Sequence, residues 1–332
     1  MNIDSVKIRF PIDSLRGFNQ SAFDTITTDS MQLPESKIQY KLTTKKPLGL
    51  KDIVLNQTAG YGTLEMSAKI LKENYFSLIN INTIENALQN ANASGLIQLD
   101  IPSSVENAQV LRCDVTTDLH IQDIPKHLRS LAAYGMNKKY ECKVYPSSVV
   151  FNRNVTTPAL REYQTFYCKV TDMRKKDREL LKYVSIKDAK NVLRCESRYA
   201  NFQQIRNAIE GTDLSLLSVL QSEAKPNLKI FNRITQEIDP ADYYNIQNFQ
   251  ALIDMKQAYK HKDIQKEIAM ASILKMCNFD IELVKVYLAT NSTANNSRLL
   301  KQFKSRLKAK NEIDTGSIEN DMNEIRGLLN AA

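Results

Sequence analysis

Three short stretches hold side chains with chemistry to offer, at the spacing of β-strands. In residues 110–121, VLRCDVTTDLHI, a period of two sets Arg112, Asp114, Thr116, Asp118 and His120 on one face. Leu111, Cys113, Val115, Thr117 and Leu119 take the other. In residues 162–170, EYQTFYCKV, the same alternation lines up Tyr163, Thr165, Tyr167 and Lys169; in residues 192–199, VLRCESRY, it lines up Arg194, Glu196 and Arg198. Carboxylates and an imidazole on one face are costly to bury unless they hold a cation or a hydrogen-bonded network. The expectation is that the three strands share a sheet and their polar faces form one site.

A hard divalent cation prefers oxygen ligands, and a mixed carboxylate and imidazole set suits Mn²⁺ as well as Mg²⁺. Asp118 and His120, two apart, can reach one ion; Glu196 can supply a third ligand and Asp114 an outer, orienting carboxylate. A tyrosine nearby is then a candidate nucleophile. Its phenol, with a free pKa near about 10, needs a base, a cation or the metal before it attacks, and Lys169 is the neighbour placed to help. Attack on a DNA phosphate would leave a 5′-phosphotyrosine and a free 3′-OH. Each residue also has a plainer role. Asp114 can pair with Arg112 or Arg194 across the sheet, Glu196 can sit in an ion-pair network between two arginines, and Tyr167 can be a sheet aromatic.

The remainder of the chain must position these groups. Its 332 residues suffice for one large or two ordinary domains, and 45 Lys and Arg against 37 Asp and Glu give +8. That surplus favours an anionic partner, nucleic acid first. The five cysteines form no CxxC pair and fit small apolar residues in a reducing compartment. No apolar run is long enough for a membrane helix and the first residues lack a signal-peptide core, so a cytoplasmic protein without membrane contact is expected. The nine glycines form neither GxGxxG nor GxxxxGK[ST], which disfavours nucleotide folds of those types.

Along the chain, residues 5–10 read as an opening strand with Val6, Ile8 and Phe10 inward, and 37–42 as a second. Residues 63–71 read as a strand or short helix, and 83–93 as an amphipathic helix with Ile84, Leu88 and Ala91 inward. A strand is expected at 96–101, a helix at 124–136, a β pair at 140–145 and 149–152, and a charged helix at 172–183. The fold class is α+β: an antiparallel or mixed sheet with flanking helices over 1–210, then a mostly helical region over 211–332, with a short strand at 227–234. Residues 297–310, SRLLKQFKSRLKAK, hold six Lys or Arg and no acid. Arg298, Lys301, Lys304, Arg306 and Lys308 are the candidate phosphate contacts there, with Arg194 and Arg198 from the sheet.

The order LRCDVTTDLHI, TFYCKVTDMRKK, VLRCESRY, with the opening IDSVKIRFP, resembles the rolling-circle replication initiators of the filamentous-phage gene II/X type and related plasmid initiators. The resemblance covers about residues 1–210. It implies a nicking and joining enzyme at a replication origin, using Mg²⁺ or Mn²⁺, with origin DNA as partner and host helicase and polymerase as further partners. On it, Tyr167 or Tyr163 is the nucleophile, Lys169 its neighbour, and Asp114, Asp118, His120 and Glu196 the metal and charge framework. The broader group carries a His-hydrophobic-His pair; here the nearest equivalent is Asp118-Leu119-His120. Two rival functions remain in view: a non-catalytic DNA-binding replication regulator, and a metal-dependent nuclease that activates water.

Overall fold

A computed structural model describes residues 1–28, 37–44, 46–133, 140–153, 155–157, 161–235, 273, 277, 281–291, 300, 301, 303, 304 and 315–332. Its strands are β1 (Ile3–Pro11), β2 (Leu15–Phe18), β3 (Phe23–Thr28), β4 (Lys37–Leu42), β5 (Leu50–Asn56), β6 (Tyr61–Ser67), β7 (Ile97–Leu99), β8 (Gln109–His120), β9 (Tyr140–Tyr145), β10 (Ser148–Arg153), β11 (Tyr163–Cys168) and β12 (Val192–Tyr199). Among the described residues, ten of these make one antiparallel sheet in the order β3-β4-β5-β6-β1-β8-β12-β11-β10-β9, while β2 pairs with β7. The three stretches expected to share a sheet are thus the adjacent strands β8, β12 and β11. The α+β class holds.

Alternation sets the two faces. On β1, Val6, Ile8 and Phe10 are buried while Lys7 and Arg9 stay partly exposed. On the apolar side of β11 and β12 lie Phe166, Cys195 and Ser197, covered by α7 (Pro226–Thr235), whose Phe231 ring packs edge-on against Phe166 at 6.0 Å. Asn227 of α7 donates to Thr117 Oγ1 at 3.0 Å, and Gln164 donates to the Asn227 carbonyl at 2.8 Å. These bonds satisfy the two amide donors under the helix, while Gln164 Oε1 and Asn227 Oδ1 are buried without a hydrogen-bond partner. The opposite face carries the charged residues, covered by a kinked 3₁₀ segment, Ala68–Ser77, and by α4 (Lys169–Lys176). Gly49, at φ +82°, sits where a Cβ would lie 2.1 Å from the Ile70 nitrogen, so only glycine lets this 3₁₀ segment approach.

The remaining helices are α1 (Ile84–Ala93), α2 (Ile101–Asn107), α3 (Ile124–Ala133), α5 (Phe202–Ile209), α6 (Leu216–Gln221), α8 (Ile281–Asn291) and α9 (Thr315–Ala331). On α1, Ile84, Leu88 and Ala91 face inward as expected, together with Ala87. Two expectations fail. Residues 227–234 are helical: Pro226 occupies the start, and Asn227, Ile230, Phe231 and Ile234 form the buried stripe of period 3.6 that a period of two had mimicked. The charged helix begins at Lys169 and ends at Lys176, earlier than expected, and a 3₁₀ turn follows at Leu180–Lys182.

Helices beyond residue 210 join the same core as the sheet. Leu216, Val219 and Leu220 of α6, Ile230 and Phe231 of α7, and Met322, Ile325 and Leu329 of α9 all belong to it. The amino group of Met1 donates to the Leu220 carbonyl at 2.7 Å. Cys277, Val284, Leu288 and Phe303 make a second, small cluster. No described helix is long and apolar enough to cross a membrane. The cysteines form no disulfide among the described residues, and Cys113, Cys195 and Cys277 are buried. If α9 belongs to the sheet's cooperative unit, Ile325→Ala should cost about 2–5 kcal/mol. Urea unfolding should then shift as a single transition, whereas a separate early transition would detach α9 from the unit.

Candidate active site on the charged sheet face

Register brings the predicted residues into cross-strand rows. Asp118 faces Arg194, which faces Tyr167; Thr116 faces Glu196, which faces Thr165; Asp114 faces Arg198. The Arg198 guanidinium also lies 5.3 Å from the centre of the Tyr163 ring. Because Tyr163 and Tyr167 stand on a strand, rising about 3.4 Å per residue, their four-residue separation spreads them about 14 Å apart. On a helix they would have been neighbours.

Arg194 is the centre of the first row and is fully buried. Its Nε and Nη2 donate to the two oxygens of Asp118 at 2.6 and 2.7 Å. Its Nη1 donates to Asp4 at 3.0 Å and to the Tyr75 hydroxyl at 2.5 Å. The guanidinium also lies 5.1 Å from the centre of the Tyr75 ring. Asp4 reaches this cluster because of a β-bulge: pairing steps from Ile3↔Val115 to Ser5↔Asp114, leaving Asp4 as the extra residue and re-aiming its side chain. Burial and the nearby Asp4 carboxylate push the Tyr75 phenol well above its ordinary range.

Above this base lies a partly exposed pair. The Tyr167 hydroxyl donates to Glu196 Oε1 at 2.5 Å. Burial, then the charge of Asp4, lifts the Glu196 carboxyl from its ordinary 4.5 to about 7. Burial and Glu196 push the Tyr167 phenol up. Lys169, buried, holds its ammonium 5.4 Å from the Tyr167 ring centre and 5.1 Å from that of Tyr75, and donates to Asp172 at 3.2 Å. Burial and Arg194 push its pKa down. The arrangement is thus a neutral phenol bonded to a carboxyl poised near neutrality, with a cation close to the ring. Removing the phenolic proton as the oxygen attacks is chemistry that such a pair can perform.

The expected ion site does not assemble. Both Asp118 oxygens are taken by Arg194, and Asp114 pairs with Arg198 at 3.2 Å. Glu196 accepts from Tyr167, and His120 lies exposed at the end of β8 opposite Val192. With Asp118 and Asp114 held by arginines and Glu196 by Tyr167, the four expected ligands do not converge on one ion position in this structure. The single cluster of three ligand-type residues among the described ones is His127, Asp321 and Glu324. Lys169 is also corrected: it opens α4 rather than extending β11, yet stays beside Tyr167.

Arg194 is no surface contact for DNA; it is sealed in the core of the site, while Arg198 is exposed. Lys301 and Lys304 are exposed, and Arg298, Arg306 and Lys308 lie outside the described residues. Sequence reasoning missed Asp4 and Tyr75. A bulge leaves no mark in alternation, and Tyr75 arrives from a 3₁₀ segment far from the three strands. Comparison with protein-family models, with curated proteins and with solved structures found no match.

Arg194→Met should cost about 3–5 kcal/mol by leaving the half-buried Asp118 and Asp4 unpaired. Adding Asp118→Asn should recover part of that loss in denaturant titrations; strict additivity of the two changes would show that the pair is not coupled.

Proposed function

We propose that this chain is a DNA nicking and joining enzyme of the rolling-circle initiator kind, with Tyr167 as nucleophile and Glu196 as its general base. The observation that carries the reading is the Tyr167–Glu196 hydrogen bond, with the carboxyl raised to about 7. In the reaction the Tyr167 oxygen attacks a backbone phosphorus as its proton passes to Glu196. The P–O3′ bond breaks, giving a 5′-phosphotyrosine and a 3′ oxygen that leaves as 3′-OH after taking a proton. A returning 3′-OH reverses the step and rejoins the strand. Lys169 favours the phenolate that develops, and the Arg194 guanidinium offsets part of the opposing charge of Asp4.

The surrounding face supports a single-stranded polyanion as substrate. Lys7, Arg9, Arg112 and Arg198 lie along it, with Arg9 stacked 4.8 Å from the Tyr61 ring and Arg198 beside Tyr163. Cations interleaved with aromatic rings suit a strand whose phosphates are neutralised and whose bases stack. A free 3′-OH is what a polymerase extends, consistent with origin DNA and replication partners. Asp118 and Asp114 are engaged by arginines, so no step here is routed through an ion.

The regulator reading also has an observation behind it, since the acidic strand face is occupied by ion pairs. Cleavage separates the two. With a labelled single-stranded pool from the DNA that encodes the protein, Tyr167→Phe should abolish nicking and leave binding intact, while Tyr163→Phe should retain it. The wild-type rate should rise with pH through about 7 as Glu196 ionises, and Glu196→Gln should lose that limb and about 10²–10⁴ in rate. Binding without cleavage under any divalent ion would favour the regulator, and cleavage surviving the loss of both tyrosines would favour activated water.

A further inference from the structure

Where α3 meets α9, three ligand-type side chains converge away from the tyrosine site. His127 stands on α3; Asp321 and Glu324 stand one turn apart on α9, and their ligand atoms lie within 4.8 Å of one another. His127 Nδ1 is 2.8 Å from the Asp123 carbonyl oxygen. A carbonyl only accepts, so Nδ1 carries the proton of this bond. That leaves Nε2 facing the acids, 2.9 Å from Glu324 Oε2 and 3.8 Å from Asp321 Oδ1. An ionised carboxylate also only accepts. Nε2 therefore bears a second proton or shares a cation with the two carboxylates.

Several features favour the cation. A ring nitrogen bonded to a backbone carbonyl is how metal-bound histidines are commonly oriented. Donors around an ion at about 2.0–2.2 Å sit roughly 3–3.6 Å apart, and the observed separations bracket that spacing. Asp321 is already fixed, accepting from Ser130 at 2.7 Å, while His127 and Asp321 are buried. The competing charge is Lys126, whose ammonium lies 2.8 Å from Asp321 Oδ1. Its side chain is 42% exposed, so its head can move into water as an ion enters.

We infer that His127, Asp321 and Glu324 bind one divalent transition-metal ion of the Zn²⁺ type, clasping the C-terminal helix α9 to α3. One imidazole and two carboxylates with an open position suit Zn²⁺ and admit Mn²⁺, whereas Mg²⁺ prefers an all-oxygen shell. The ion joins residues 197 positions apart in sequence. It binds only the folded arrangement, so its binding free energy adds to folding stability.

The test is calorimetric titration of the full-length protein with ZnCl₂, paired with thermal melts. Wild type should bind one equivalent and melt higher with zinc. Glu324→Gln, at a half-exposed position that tolerates the change, should bind at least about tenfold more weakly. Lys126→Met should bind more tightly, because the ammonium no longer competes for Asp321. No one-equivalent binding by wild type would overturn the assignment and leave an imidazolium clamped between two acids. Equal affinity in Glu324→Gln would overturn it too, placing the zinc elsewhere.

Discussion

A guanidinium sealed from water under a sheet face is the constraint around which this structure is organised. An unpaired buried charge is prohibitively costly, so Arg194 must be surrounded, and it is: Asp118 on one neighbouring strand, Asp4 from the bulge of β1, and Tyr75 from the 3₁₀ segment. These partners come from sequence positions 4, 75 and 118, as far as 190 residues from Arg194. The network therefore forms only when the register β1-β8-β12 and the 3₁₀ segment are all in place. Such an ion-pair cluster adds little net stability against an apolar alternative, but it disfavours other registers strongly, since a one-residue slip would strand the charge.

The same network sets the electrostatics of its surface layer. Asp4 is close enough to Glu196 to help raise its pKa, and Arg194 is close enough to Lys169 to help lower that of the amine. Burial is the larger cause of both shifts, with Asp4 adding to the rise of the carboxyl and Arg194 to the fall of the amine. Tyr167 sits at the junction, bonded to one and stacked near the other. Groups poised in this way are typical of acid–base sites.

Much of this was legible in sequence because period-two alternation is a local signal. Residues 110–121, 162–170 and 192–199 read as three strands with polar faces, and the structure makes them neighbours, the second ending at Cys168. What alternation does not encode is partnership. It offered Asp118 and Glu196 as ligands of one ion, yet cross-strand register gives Asp118 to Arg194 and Glu196 to Tyr167. It also could not tell the strand of Tyr167 from the helix of Lys169, since the change falls between adjacent residues. Helix α7 read as a strand because Leu228, Ile230 and Ile234 fall on alternate positions, although its buried stripe is Asn227, Ile230, Phe231 and Ile234. Asp4 and Tyr75 lay beyond reach, since a bulge and a long-range approach are tertiary facts.

The most direct measurement is mass-spectrometric mapping of the protein after incubation with a cleavable single strand, nuclease trimming and proteolysis. The account predicts one peptide carrying added nucleotide mass, with fragmentation placing it on Tyr167. Nucleotide on Tyr163 or another residue, or cleaved DNA with no modified peptide, would contradict it.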